Sequence, residues 1–521
     1  MTGTLFFPFV SASFSQKNAR VFDCCGFRMY INPDDNETNS FFRRKNMQEA
    51  LRKRIEAAGQ AHLLAHYDAA DAAAQAKLEA QFSVIDWEAL PGLIAGYVLK
   101  RPETAIPADL APAPFFPYPA KTAEQEKLYA EAAAKGVEVL RAGKVAALTV
   151  AGGQGTRLGF DGPKGTYPIT PVLHKTLFQY FAESIGRISE KYGAPLTWYI
   201  MCSELNAAPT KEFFEKNKFF GLADGQVRFF VQGTMPAIGL DGKLIIGAKD
   251  SLALSPNGHG GTLLALRASG CLDRMAADGV EYLSYFQVDN PLVPIADPLF
   301  IGLHILEGSQ ISSRMLPKTC PTEKLGNFCL SGGRLHVIEY SDMPLELAER
   351  LNPDGTLAFL SGSPAIHIIS RTFIESLTQD GTLKLPWHRA DKKVPYLAAD
   401  GTVVKPESTN AVKLESFIFD ALPMAERAIV VEGSRKEMFG PTKNATGVDS
   451  VESCRTMLVE RDARRLGLAG IQVPRNADGT PAALVEISPR CVVDDADAVE
   501  YFRANPVTEP IQPGQTKAFG K

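Results

Sequence analysis

The feature that most restricts the fold of this chain is an apolar run, VAALTV (Val145 to Val150), that passes without a spacer into the glycine-rich loop AGGQGTRLG (Ala151 to Gly159). A continuous run of short apolar residues is the mark of a strand covered on both faces. The four glycines of the loop let backbone N–H groups approach an anion that any Cβ would obstruct, and Arg157 adds a bidentate cation. Downstream, TLFQYFAESIGRISEKYG places Phe178, Phe181, Ile185 and Ile188 on one helical face. Strand-like runs recur at 196–203, 227–232 and 282–290, separated by helix-length segments. This alternation predicts an α/β fold with a mixed, mostly parallel sheet. Ligands of such sheets lie at the carboxyl ends of strands, where both the glycine loop and Asp289 fall.

Taken alone, the loop fits an anion cradle and a tight strand-to-helix turn equally well. Two familiar phosphate motifs fail on spacing. Gly153, Gly155 and Gly159 do not give GxGxxG, and GPKG at Gly162 lacks the GK[ST] ending of a Walker loop. A Ser-His-Asp hydrolase finds no GxSxG elbow.

With 521 residues the chain exceeds the roughly 250 to 300 residues that one core supports. The expected division is an extension over 1–46, a helical region over 47–136, a catalytic domain over 137–422 and a small C-terminal domain over 423–521. Residues 1–46 carry an apolar patch, LFFPFV, but neither a basic segment before it nor a cleavage site after it, which argues against a secretory signal. The proline-rich 101–120 cannot be helical and is expected to wrap the surface of the next domain. A formal charge of −4 leaves no overall basic field for nucleic acid or an anionic membrane, and no apolar run reaches the length of a transmembrane helix. The eight cysteines include no CxxC pair, a pattern that fits a reducing compartment, the cytoplasm.

GGQGTRLGFDGPKGTYPI followed by KTLFQ resembles the signature of the eukaryotic-type UDP-N-acetylglucosamine pyrophosphorylases, within the wider UDP-sugar pyrophosphorylase family. The resemblance continues in family order through VQGTMPAIGLDGKLI, SPNGHGG, FQVDNPLVPIADPLFIG, VIEYSDMP, KKVPYL, NAVKLESFIFD and FGPTKNATG, covering 47–447. It implies a Rossmann-like nucleotidyltransferase domain flanked by N- and C-terminal domains. It further implies that Gly152 and Gly153 hold the uridine nucleotide, Arg157 and Lys164 its phosphates, and Gln232 with Gly258 the uracil. Asp289 matches the family's metal-binding aspartate, Glu339 and Tyr340 its sugar residues, Lys413 and Lys443 its phosphate-contacting lysines, and Phe417 its aromatic beside the sugar.

Elementary chemistry agrees with these roles. A sugar 1-phosphate meeting the α-phosphorus of UTP brings two polyanions together, and their repulsion is a main obstacle. The phosphate monoester, with a second pKa near ~6, is already the nucleophile at neutral pH. Cations and alignment are needed more than a base. Mg²⁺ suits a lone carboxylate, because it prefers one or two carboxylates together with phosphate oxygens and water. Read by themselves, Lys413 and Lys443 are surface lysines, Asp289 is equally a strand-end turn residue or a metal ligand, and Tyr340 and Phe417 are core or rim aromatics. His304, His336 and His388 show no ligand spacing and are expected to be structural.

Two positions depart from the acetylated-sugar pattern. His259 stands in SPNGHGG, and Ser363 in FLSGSPAIH, where that subfamily carries asparagines. GHG is closer to UDP-glucose and broad UDP-sugar pyrophosphorylases, so N-acetylglucosamine 1-phosphate and glucose 1-phosphate both stay open, with the former favoured by overall similarity. A non-catalytic nucleotide-sugar binding protein is the alternative of a different class. A glycosyltransferase would be expected to show a DxD metal pair at a strand end, and none follows the strand-like runs at 145–150, 196–203, 227–232 or 282–290.

Overall fold

The computed structural model describes residues 49–102 and 106–520, so the expected extension over 1–46 lies outside the described residues. The chain divides into two compact units. Of the described residues, one holds 49–100 together with 238–253 and 394–408, and the other holds the remainder.

In the first unit, residues 49–57 are helical and are followed by helices α1 (Ala61–Ala69) and α2 (Ala72–Ser83). Asp71 caps α2 by accepting the N–H groups of Ala73 and Ala74 at 3.0 and 2.9 Å, satisfying two of the donors a helix start leaves open. Ile55, Leu63, Leu78, Phe82 and Trp87 are buried. Buried Gln60 accepts the Leu244 N–H at 2.9 Å and donates to the Gly242 carbonyl at 3.0 Å, which ties the 238–253 excursion to the helices.

The second unit is built on one mixed sheet. Its strands are β1 (Ala111–Pro112), β2 (Val145–Val150), β3 (Thr197–Cys202), β4 (Val227–Val231), β5 (Tyr282–Gln287), β6 (Ile311–Pro317), β7 (Gly326–Ser331), β8 (Arg334–Ile338), β9 (Ser361–Ser363) and β10 (His367–Ser370). β11 (His388–Lys392) and β12 (Ala411–Glu415) pair with each other outside the main sheet, and β13 (Ala428–Glu432) returns to it. The spatial order is β1-β7-β9-β6-β10-β5-β2-β3-β4, with β8 on β7 and β13 on β6. β5, β2, β3 and β4 are parallel, whereas β10 runs antiparallel to both β5 and β6. The sheet therefore has a parallel half and a largely antiparallel half, and β13 is parallel to β6 within the latter.

Alternate residues of the strands enter two cores, as a two-residue period requires. Ala147, Trp198, Ile200 and Phe286 join the core under helices α3 (Ala123–Arg141), α4 (Leu177–Tyr192), α6 (Pro298–Leu306) and the start of α7 (Val451–Leu468). Ala146, Leu148, Tyr199, Met201 and Tyr285 join the core under α5 (Gly261–Ala268) and the turn at Ile418–Met424. Phe178, Phe181, Ile185 and Ile188 of α4 are all buried in the first of these.

The expected breaks at 136/137 and 422/423 both fall inside elements, the first within α3 and the second within Ile418–Met424. α3 is inseparable from the sheet unit because it lies against α6. A Cβ on Gly136 would stand 2.0 Å from the Pro298 carbonyl oxygen, and one on Gly302 would stand 1.7 Å from that of Ala132. Past 422 the chain re-enters the sheet as β13, and only then does the second half of α7 cover a separate small core with Leu484–Ile487, Asp495–Ala504 and Thr516–Phe519. The proline-rich segment runs along the same unit, pairing at β1 and exchanging hydrogen bonds between Phe116 and β13 at 2.9 Å. No helix of the described residues is long and apolar enough to cross a membrane.

Candidate active site

The parallel register sets Val150 opposite Gln287, so the glycine loop leaving β2 and the Val288-Asp289 pair leaving β5 emerge side by side. A buried amide shapes the loop. Asn206 donates to the Ala151 carbonyl at 2.7 Å and accepts the Ser203 N–H at 2.8 Å, while the Ser203 hydroxyl donates to the Gly152 carbonyl at 2.9 Å. Neither Asn206 nor Ser203 stands out in the sequence, because what they do depends on β3 ending beside β2. A Cβ on Gly152 would meet Gln232 Oε1 at 2.8 Å, whereas one on Gly153 would meet nothing within 4 Å. Gly152 is thus glycine for packing under buried Gln232, and Gly153 opens onto free space.

Lys164 turns back on this loop, its N–H donating to the Gly153 carbonyl at 3.1 Å, and its ammonium reaches Asp289 Oδ2 at 3.4 Å. Arg157 is exposed. Beyond Asp289, Asn290 donates to the Met438 carbonyl at 2.8 Å and accepts the Gly440 N–H at 3.0 Å, and the Thr442 N–H donates to the Asp289 carbonyl at 2.9 Å. These bonds fasten 438–443 to the end of β5 and bring Lys443 to the site.

A cavity of about 300 Å³ opens here, and its walls include His259, Asp289, Glu339, Tyr340, Ser363 and Lys443. Six residues that the sequence separates by up to 184 positions therefore share one space. Lys324, Gln287, Asn290 and Phe419 also line it and were not foreseen. Gly152, Gly153, Arg157, Lys164, Gln232, Gly258, Lys413 and Phe417 are not in its walls. Lys164 joins it through Asp289, and Gly258 and Phe417 join it through His259.

Gly258 has φ +88°, and a Cβ there would stand 2.3 Å from the Ser416 carbonyl oxygen. This position demands glycine on both counts. The closeness lets Asn257 and Gly260 pair with Ser416 at 2.9 Å, which lays the Phe417 ring on His259 with centroids 5.1 Å apart and planes 19° apart. His259 Nδ1 accepts the Ile418 N–H at 3.2 Å, so the imidazole proton sits on Nε2. Burial, reinforced by the charge of His388, lowers its pKa to about 4 and keeps it neutral.

Burial raises the Glu339 carboxyl above its usual range, with Asp342 and Asp420 adding to the effect while His388 and Lys443 oppose it. Burial lowers Lys413, which Glu415 opposes and Lys392 reinforces. Lys413 lies on β12 opposite Ala390 of β11. His388, expected to be structural, stands against Phe417 with centroids 4.3 Å apart. His304 fits the structural expectation, since both ring nitrogens are bonded to serines, Ser312 at 2.8 Å and Ser370 at 2.9 Å.

Among the described residues no group of three or more His, Cys, Asp or Glu side chains could hold a metal by itself. Asp289 stands alone as a carboxylate at the junction of loop and cavity, which fits a divalent ion whose remaining ligands are phosphate oxygens and water.

A glycine loop and a strand-end aspartate on adjacent parallel strands, opening onto a polar cavity with lysines, define an α/β nucleotidyltransferase. Comparison with known proteins narrows this. The UTP-glucose-1-phosphate uridylyltransferase (UDPGP) family model matches residues 115–469. The human UDP-N-acetylhexosamine pyrophosphorylase-like protein 1 is 35% identical over 494 residues, covering 89% of this chain and 96% of that protein. UDP-N-acetylglucosamine diphosphorylase 2 of Arabidopsis thaliana is 36% identical over 376 residues, 68% of this chain and 72% of that one. The crystal structure of the uridine diphosphate N-acetylglucosamine pyrophosphorylase from Trypanosoma brucei superposes with a TM-score of 0.73 over 90% of this chain and 98% of its own, and at 24% identity it speaks for the fold. The chain belongs to the UDPGP family of UDP-sugar pyrophosphorylases and is a uridylyltransferase.

Proposed function

We propose that this protein joins UTP to N-acetylglucosamine 1-phosphate, releasing pyrophosphate, with Mg²⁺ as the divalent ion and the cytoplasm as its compartment. The observation that carries the reading is the continuity from the Gly152-Gly153 loop through the Lys164–Asp289 pair at 3.4 Å to the cavity of Glu339, Tyr340, Ser363 and Lys443. The names of the relatives support the sugar. The six described cysteines, all free, support the compartment.

In this reading the uridine nucleotide lies along Gly152 and Gly153, with Gln232 and Gly258 at the base. The sugar 1-phosphate lies in the cavity. A phosphate oxygen of the sugar 1-phosphate forms a bond to the α-phosphorus of UTP as the α–β bridging P–O bond breaks, and pyrophosphate leaves with that electron pair. Lys164, Arg157, Lys413 and Lys443 offset the charge that gathers along this path. Two unit charges 4 Å apart interact by about 4 kcal/mol near a protein surface, so each cation is worth several factors of ten in approach. Asp289 with substrate phosphates would hold Mg²⁺, which supplies further charge neutralisation when bound. Glu339 and Tyr340 orient the sugar, and Phe417 flanks it.

A second reading rests on the two departures from the acetylated-sugar pattern, His259 and Ser363, where that pattern carries asparagines. The Nε2–H of His259 is a donor that suits an acetamido carbonyl and a hydroxyl oxygen alike. Glucose 1-phosphate, or a broad set of sugar phosphates, is then the alternative. Pyrophosphate release is to be measured with UTP, Mg²⁺ and the 1-phosphates of N-acetylglucosamine, N-acetylgalactosamine, glucose and galactose, beside His259→Asn. Highest kcat/KM with N-acetylglucosamine 1-phosphate, and a change of about tenfold in the ranking in His259→Asn (about 1.4 kcal/mol), are expected. An unchanged ranking removes His259 from the sugar pocket. UDP-sugar binding without turnover of any sugar phosphate would instead favour a non-catalytic binding protein.

A further inference from the structure

Phe417 stacks against two imidazoles, His259 with centroids 5.1 Å apart and planes at 19°, and His388 at 4.3 Å and 28°. The two rings differ in what holds them. His259 accepts a backbone N–H and is neutral, whereas His388 donates from Nε2 to Asp420 Oδ2 at 2.8 Å. The same Asp420 oxygen accepts the Phe417 N–H at 3.3 Å, so one carboxylate fixes both the ring of His388 and the backbone of Phe417.

We propose that His388 is a positioning residue of the sugar side: held by Asp420, it stacks on Phe417 and sets the pose of that ring against His259 and the sugar. The inference rests on the reading of the cavity as the sugar 1-phosphate site.

Three observations support it. Stacking on an imidazole, and more so on a protonated one, restrains an aromatic ring to one pose. His388 opens strand β11, and its partner in register is Glu415 of β12, the strand that carries Lys413 and runs into Phe417, so the pair also closes the end of that hairpin. The charged surroundings favour the cation. Glu415 faces it from β12, Asp420 from the turn at Ile418–Met424, and Glu339 and Asp342 from the segment after β8, while neutral His259 faces it from the 257–260 loop. Burial opposes the charge, but the hydrogen bond and charge of Asp420, with Glu339 and Asp342, leave the His388 pKa raised. The sign follows. A raised histidine carries its charge at low pH and loses it as pH climbs through the raised value.

The test uses the full-length enzyme, His388→Gln and Asp420→Asn, with pyrophosphate release measured from UTP and N-acetylglucosamine 1-phosphate between pH 6 and 9. Each KM is taken separately, and unfolding midpoints are recorded. In His388→Gln the KM for the sugar phosphate should rise about tenfold, with the KM for UTP held within about twofold, and the unfolding midpoint should be retained. The unsubstituted enzyme should show a rise in sugar-phosphate KM as pH climbs past the ordinary histidine value. That rise should be absent from His388→Gln and displaced to lower pH in Asp420→Asn. Titration of the sugar phosphate itself is common to all three proteins and cancels in the comparison. A sugar-phosphate KM and pH profile equal to those of the unsubstituted enzyme would overturn the inference and leave the site reading intact. A rise confined to the KM for UTP would overturn the reading of the cavity and the inference with it. A parallel loss in kcat, both KM values and the unfolding midpoint would show a mere structural prop and also overturn it.

Discussion

The two sides of the proposed site are built by different means. The proposed nucleotide side sits at the ends of the parallel strands β2, β3 and β5, where the glycine loop follows β2, Asp289 stands two residues past β5 and Lys164 returns to pair with it. The proposed sugar side is drawn from the antiparallel half and its attachments: His259 before α5, Glu339 and Tyr340 after β8, Ser363 on β9, Phe417 after β12 and Lys443 beyond β13. A parallel sheet delivers its strand ends to one edge by topology, so a nucleotide site needs little else. A cavity gathered from widely separated segments depends on every packing contact between them. The nucleotide side is therefore expected to be chemically strict and indifferent to the sugar, and the sugar side adjustable and sensitive to packing and pH.

The strongest test of this contrast is Asp289→Ala. The fold should persist, because Thr442 bonds the Asp289 carbonyl and not its carboxylate, and kcat/KM should fall about a thousandfold, the size of losing one preorganised electrostatic element. The fall should be equal for every sugar phosphate in a pyrophosphate-release panel. Unequal losses would break the division between the two sides.

Gly258→Ala probes where the sides join. The new Cβ would stand 2.3 Å from the Ser416 carbonyl oxygen in a backbone with φ +88°, a combination that costs about 3 kcal/mol. A lowered denaturation midpoint together with weakened UTP and sugar-phosphate binding is expected. Loss of only one substrate would show that the 257–260 loop serves a single side.

The smallest effect per residue is on stability in acid. Burial holds His259 at about 4, His304 at about 3 and His367 at about 3. Each is lowered from about 6.5 in the unfolded chain, so the unfolded state binds more protons between those values. Stability from these residues is complete above about pH 6.5 and is lost as pH falls towards their folded values. By pH 5 each should have given up as much as about 2 kcal/mol, read as a lower urea midpoint at pH 5 than at pH 7. Since His259 and His367 belong to the sugar half, a midpoint that does not move would remove the proposed sensitivity of that half.

How much could be read beforehand follows the same contrast. VAALTV announces a covered strand, and the loop after it a glycine-rich turn open to an anion, within fifteen residues, because apolar continuity and glycine density are local properties. The helical face of Phe178, Phe181, Ile185 and Ile188 was equally plain and is buried as expected. His388 showed no spacing, since its partners Asp420 and Phe417 come 32 and 29 residues later across a strand pair. Asn206 gave no signal either, because its purpose is to satisfy the carbonyl of Ala151, a need created only when β2 and β3 lie together. The breaks expected at 136/137 and 422/423 failed for a related reason. Helix composition cannot tell a free-standing layer from a helix whose Gly136 admits the backbone of a neighbour, and the apolar AIVV of β13 finds its partner more than a hundred residues earlier, in β6.

The sequence by itself determined the α/β class and, through motifs in order, the family, and it singled out the glycine loop and Asp289 as the proposed nucleotide and metal positions. These rest on short-range patterns that physical chemistry makes readable. Tertiary structure alone decided which lysines and aromatics share a cavity, that His259 is a neutral donor while His388 is paired with a carboxylate, and where the chain divides. Those outcomes depend on burial and on neighbours supplied by distant segments, and a side chain acquires its charge state and its partner only once those segments have closed around it.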